Sequence, residues 1–167
     1  MPLNPVVFSS AKDSWGTPGW LFDVLDAEFH FTLDAAASDE NALCTNYYTE
    51  KTDGLQSLWP LDAVVYINCP YGRNITGKWV EKSSRQSQLG NTVVMLLPAR
   101  TDTKWFHDYI YEKPGVHYRF IRGRLKFVGA KSGAPFPSMV VVFEGKLGDA
   151  KARLWNTCLH TGRNGRQ

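Results

Sequence analysis

The chain has 167 residues, 43% of them hydrophobic and 13% aromatic, which suits one domain with a single core and leaves no room for a second domain of ordinary size. No apolar run is long enough to cross a bilayer, residues 1–10 lack the basic start and apolar core of a signal peptide, and the three cysteines exclude a disulfide framework. The net charge of +3 hides an asymmetry: residues 1–70 carry 2 Lys/Arg against 10 Asp/Glu and residues 71–167 carry 17 against 6, so either one face meets a polyanion while another holds a cationic small molecule, or the two signs interleave once the chain is folded.

The first element is a helix. Thr17 stands at its cap and Pro18 at its first position, with Trp20, Leu21, Val24, Leu25 and Phe29 at helical spacing behind them. Phe31, Thr32, Leu33 and Asp34 then form a short strand, followed by Ala35, Ala36, Ala37 and Ser38, small residues that let a ligand approach the backbone closely. Residues 39–59 are polar and turn-rich, with a short strand at 46–49 and a turn at Asp53-Gly54.

The apolar run at residues 63–67 (AVVYI) is a buried strand that ends abruptly in Asn68-Cys69-Pro70-Tyr71-Gly72. Trp79 and Val80 begin a helix that runs to about Gln88. Residues 92–97 (TVVMLL) are a second buried strand, ended by Pro98. Behind Thr101, Asp102 and Thr103, the residues Trp105, Phe106, Tyr109 and Ile110 mark another capped helix. Strands follow at 116–121, 125–128 and 138–143, the first two joined near Gly123 and the last two separated by a Gly/Pro loop at 129–137.

Strands that alternate with helices and then succeed one another predict a three-layer α/β fold, its mixed sheet parallel first and antiparallel at the C-terminal edge. The domain spans residues 1–145, and residues 146–167 form a basic, partly disordered tail. His30, His107, His117 and His160 lack metal-ligand spacing, so no metal is expected. The expected compartment is the cytoplasm.

The Asn68 loop carries the chemistry. It offers a side-chain amide oxygen at Asn68, a main-chain carbonyl at Cys69 restricted by Pro70, and a flat ring at Tyr71. An exocyclic amine on a nucleobase is a poor nucleophile because its lone pair is delocalised. Two acceptors drawing on its hydrogens let the nitrogen turn pyramidal while an aromatic ring holds the base. A strand followed by a turn with no chemistry is the bland alternative for this segment taken alone.

Asn68-Cys69-Pro70-Tyr71 resembles the (Asp/Asn)-Pro-Pro-Tyr motif of S-adenosylmethionine-dependent amino methyltransferases. Thr17-Pro18, the segment from Leu33 through Ser38, Asp53-Gly54-Leu55, the segment from Leu96 through Phe106, the segment from Gly123 through Phe127, and Pro135-Phe136-Pro137-Ser138 occur in the order seen in compact phage and prophage DNA N-6-adenine methyltransferases. The resemblance covers roughly residues 15–143. It implies a reduced Rossmann-like class I methyltransferase fold and transfer of a methyl group from S-adenosylmethionine to the N6 amine of adenine in DNA. It also implies a catalytic loop of Asn68, Cys69, Pro70 and Tyr71, and cofactor contacts from Thr17, Pro18, Asp34, Ala35, Ala36, Asp53 and Asn68. Cys69 departs from the motif. It keeps the main-chain carbonyl and loses the ring that would fix φ.

DNA contact is expected from Arg73, Arg100, Lys104, Trp105, Arg122, Arg124 and Lys126, with Trp105 lining a flipped-base pocket. Core packing is the expectation for Trp15, Trp59, Trp79 and Trp155. Only 33 residues separate Asp34 from Asn68, so a crossover unit of ~30 residues must be shortened or replaced by loop. With no space for a separate recognition domain, DNA is read by loops near residues 39–46, 73–78, 99–104 and 129–137, which implies short or relaxed specificity. The competing readings are a DNA-binding protein that keeps the fold without catalysis and an amino methyltransferase acting on RNA or protein.

Overall fold

A computed structural model describes residues 15–145 and the strand pair at 159–160. In chain order the elements are α1 (Gly19–Phe29), β1 (Leu33–Asp34), β2 (Val64–Ile67), α2 (Thr76–Gln88), β3 (Thr92–Pro98), α3 (Lys104–Tyr109), β4 (Val116–Arg122), β5 (Ser138–Phe143) and β6 (Leu159–His160). They build one sheet in the order β1-β2-β3-β5-β4-β6. β1, β2 and β3 are parallel, and β5 enters antiparallel between β3 and β4.

This order brings the ends of β1, β2, β3 and β4 and the start of β5 to one edge. Open α/β sheets bind ligands at such an edge.

Alternation along the strands sorts the core into two layers. Odd-numbered residues such as Val65, Ile67, Cys69, Met95, Leu97, Met139 and Val141 pack with Trp79 and Val80 of α2 and Phe106 of α3. Even-numbered residues such as Tyr66, Val94, Leu96, Val140 and Val142 pack with Leu21, Phe22 and Leu25 of α1. The three-layer α/β expectation holds, with both faces covered as the continuous apolar strands require.

Several local expectations need correction. Thr17 does not cap α1: Pro18 precedes the helix in an extended conformation and its carbonyl accepts from Leu21 and Phe22, while the Thr17 hydroxyl is used elsewhere. Trp20 and Val24 are exposed, and Leu21, Phe22 and Leu25 form the buried face. Residues 125–128 make no strand; only Val128 bridges, antiparallel, to Gly16. The 46–49 strand shrinks to a bridge between Tyr47 and Asp34.

That bridge closes the short gap noted above. Asp34 N–H donates to Asn46 O, Tyr48 N–H to Asp34 O, and Ala37 N–H to Tyr48 O. Residues 46–48 therefore satisfy the outer side of β1, where a full crossover unit would have supplied a strand. Residues 159–160 of the expected tail run parallel to β4 as β6; the rest of the tail, with Trp155, lies outside the described residues. Among the described residues no helix is long and apolar enough to cross a membrane.

Candidate active site

Asn68 follows β2 directly, and alternation turns its side chain to the α1 face of the sheet. Its amide nitrogen donates to Trp15 O at 2.5 Å and to Thr17 Oγ1 at 3.1 Å. A carbonyl can only accept, so Trp15 fixes which end of the amide faces it. Oδ1 is thereby turned the other way, where it accepts from the Tyr71 hydroxyl at 2.8 Å. Leu96 O, at 3.1 Å, is a second acceptor within reach of the same phenol.

The support extends inward. Thr17 Oγ1 is 2.7 Å from the hydroxyl of Tyr66, whose side chain is buried between β2 and α1. Burial pushes the Tyr66 phenol above its ordinary pKa, partly offset by the Thr17 hydrogen bond. Burial raises the Tyr71 phenol well above its usual value, with Cys69 and Tyr66 adding to the effect. Both remain neutral at physiological pH.

Tyr71 lies among aromatic rings. Phe136 meets it edge-on with centroids 5.6 Å apart and Phe127 at 6.3 Å. Trp15 meets Phe127 at 5.1 Å and Phe136 at 5.9 Å, both edge-on. Trp15, expected to be plain core, is therefore half-buried at the site. Phe127 and Phe136 are site residues that were not singled out individually; both lie in segments that carried the family resemblance, about 60 residues from the Asn68 loop in sequence.

Cys69 points the other way, into the α2 layer, where it is 3% exposed. Burial pushes its thiol up to about 12. Nucleophilic cysteines are partly exposed and have lowered pKa values, so this thiol packs in the core and leaves the loop only the main chain of Cys69. Past it, Gly72 O accepts from Ile75 and Thr76 N–H, and Thr76 Oγ1 accepts from Gly72 N–H. The start of α2 thus pins the loop.

At the end of β1, Asp34 is 3% exposed. Its two carboxylate oxygens accept from the backbone N–H groups of Ala36 and Leu43 at 3.3 and 3.2 Å. Burial holds its pKa above the ordinary carboxylate value, with those two hydrogen bonds opposing. Asp34 therefore shapes the 35–43 turn from inside. Asp53, at φ 46°, accepts from Leu55 and Gln56 N–H through Oδ1 and starts a turn that presses on β1: a Cβ at Gly54 would lie 2.0 Å from Ala35 O.

α2 holds that turn in place. The Lys82 ammonium donates to Leu55 O and Ser57 O and stands 4.9 Å over the Trp59 ring, whose indole N–H donates to Gly54 O. Ala35, Ala36, Asp53 and Gly54 are so brought together, with Thr17, Pro18 and Asn68 beside the neighbouring strand end.

The cationic candidates divide. Arg73, Arg100, Arg124 and Lys126 are exposed in the turns at this edge, and Arg122 is exposed at the end of β4. Lys104 is exposed but ion-paired with Asp108 one turn along α3. Trp105 lies on the opposite layer, half-buried, with its ring near Gly77 of α2. It packs α3 on α2, and the aromatic wall around Tyr71 comes instead from Trp15, Phe127 and Phe136. Exposed acids Asp39, Glu40 and Asp53 lie in the segment that follows β1, but Lys51 stands near Glu40 and Lys82 near Asp53, so the two signs interleave on that side.

Residues 6–147 match the model of the DNA N-6-adenine-methyltransferase (Dam) family. The chain belongs to that family. It is 36% identical over 100 residues to the DNA N-6-adenine-methyltransferase of Escherichia phage T1, an alignment that takes in 59% of this chain and 41% of the phage protein. The chain thus matches about two fifths of that relative's length. A solved structure of a provisionally named methyltransferase from Thermoplasma acidophilum aligns over 78% of this chain and 65% of its own, with a TM-score of 0.42 and 12% identity. Family membership accords with the resemblance drawn from the sequence.

Proposed function

We propose that the chain transfers a methyl group from S-adenosylmethionine to the N6 amine of adenine in DNA. One observation carries the reading: Asn68 is fixed by Trp15 O and Thr17 so that an acceptor, not a donor, faces the aromatic wall at the carboxyl edge of β2. A side chain that could turn its amide over would repel an amine half the time. This one presents Oδ1 in a single sense.

Asn68 Oδ1 accepts one hydrogen of the adenine amine and the Cys69 carbonyl accepts the other, which localises the lone pair on nitrogen. The Tyr71 ring stacks on the base. When bound, S-adenosylmethionine supplies a methyl carbon activated by its sulfonium, for in-line displacement. The residues present suit such a cofactor: Ala35 turns its methyl into the core and Ala36 is half-buried, leaving small residues where the Asp53-Gly54 turn abuts them, with the exposed carboxylates of Asp39, Glu40 and Asp53 in the segment that follows β1. Thr17, Pro18, Ala35, Ala36, Asp53 and Asn68 would hold it, with Asp34 shaping the turn. Arg73, Arg100, Arg122, Arg124 and Lys126 take the phosphates.

The protein is incubated with methyl-labelled S-adenosylmethionine and separately with DNA, RNA and protein. Label in DNA is expected. Label in RNA or protein alone, or in none of them, would overturn the reading.

A further inference from the structure

We infer that Ser138 is a base-contacting residue of the pocket around Tyr71, one that hydrogen-bonds the edge of the target adenine; the inference rests on the proposed substrate. Ser138 is 1% exposed, and its Oγ has no hydrogen-bond partner among the described residues. A buried hydroxyl in that position carries a desolvation penalty that nothing offsets. Packing does not require it, because alanine would fill nearly the same space without the penalty.

Its position is specific. Ser138 opens β5, opposite Pro98 of β3, two residues before the Val140 to Leu96 pair. Val140 and Val142 lie in the α1 layer, so alternation puts Ser138 on that same face, with Leu96, whose carbonyl is the second acceptor for the Tyr71 hydroxyl. Phe136, two residues earlier, is a wall of the Tyr71 pocket. Ala99 N–H donates to Pro137 O at 2.8 Å and holds the segment in register.

The Tyr71 phenol takes one lone pair of Asn68 Oδ1, and the amine of a bound adenine takes the other. The aromatic pocket of Tyr71, Phe127 and Phe136 that would receive this base lies on the sheet face that carries Ser138. A hydroxyl both donates and accepts, so it can serve a ring nitrogen of the base as readily as its amine. The unsatisfied group is then one whose partner arrives with the substrate.

Wild type and Ser138→Ala, both as the full chain, are compared in three measurements: Tm, methylation of plasmid DNA at saturating S-adenosylmethionine, and affinity for short deoxyadenosine and thymidine homo-oligonucleotides with S-adenosylhomocysteine present. Loss of one hydrogen bond to substrate is expected to lower kcat/KM and the preference for deoxyadenosine about tenfold, with Tm unchanged or raised. A lowered Tm would mean the hydroxyl is bonded within the core and would overturn the assignment; so would an unchanged deoxyadenosine preference. Should wild type prefer deoxyadenosine but methylate no DNA, the enzyme reading fails, and a preference lost in Ser138→Ala still supports Ser138. No preference in wild type counts against Ser138 as well.

Discussion

The Tyr71 hydroxyl donates to Asn68 Oδ1 at 2.8 Å, so the ring and the acceptor assigned to one substrate are partners of each other. Oδ1 has a second lone pair, so an amine can be engaged while the hydrogen bond from Tyr71 is kept. Tyr71→Phe keeps the ring and is expected to lower kcat/KM less than tenfold. Tyr71→Ala removes the stacking surface, worth about 1–3 kcal/mol per base, and is expected to lower it roughly 10- to 100-fold. Steady-state methylation kinetics on the two variants check the order, and equal losses would count against stacking.

Thr17 joins Asn68 to buried Tyr66. Thr17→Val removes one acceptor from the amide and leaves the Tyr66 hydroxyl unpartnered, which is expected to cost about 1–3 kcal/mol in urea unfolding. It should also lower kcat more than it raises KM for DNA, because the amide loses part of what fixes its orientation. Thr17→Ser keeps the hydroxyl and is expected to restore both.

Gly54 meets the end of β1 backbone to backbone, and a Cβ there would sit 2.0 Å from Ala35 O. Neither side is a flexible side chain. Gly54→Ala is expected to destabilise the fold by about 1–3 kcal/mol and, by pushing the 53–57 turn off Ala35, to weaken S-adenosylmethionine binding in calorimetric titration. Unchanged affinity would separate this turn from the cofactor.

Burial raises the Cys69 thiol to about 12 and the Tyr66 and Tyr71 phenols above their ordinary values. In the unfolded chain these groups ionise near about 8.5 and 10. Above those values the unfolded state binds fewer protons than the folded one, so stability falls as pH rises. The contribution is complete below about pH 8.5 and declines from there toward pH 12. Urea unfolding at pH 7, 9 and 10.5 is expected to show falling midpoints, with a smaller fall between 7 and 9 in Cys69→Ala.

The layered fold was legible because β2, β3 and β5 are continuous apolar runs and α1 carries its own periodicity. The loop proposed for catalysis stood out in the sequence because Asn68 directly ends such a run. What escaped has physical reasons. Thr17 looks like a helix cap by residue type, but a tertiary partner, the Asn68 amide, took its hydroxyl. Residues 125–128 alternate like a strand, with Leu125 and Phe127 in the α1 layer and Lys126 exposed, yet their backbone is met by Ala134 at Leu125 and by Gly16 at Val128, partners that lie in loops whose approach no local pattern carries. Trp105 has the composition of a base-stacking residue and the location of a helix-packing one; the side of the sheet it occupies depends on how α3 docks, which no local pattern carries.

Asn68 is where the account is tested most directly. DNA incubated with the protein and S-adenosylmethionine is digested to nucleosides and analysed by mass spectrometry, wild type beside Asn68→Ala. The account predicts N6-methyldeoxyadenosine from wild type and a loss of at least about 100-fold in the variant, the scale set by removing one preorganised acceptor. Equal N6-methyldeoxyadenosine from both proteins would contradict the mechanism, and none from wild type would contradict the activity itself.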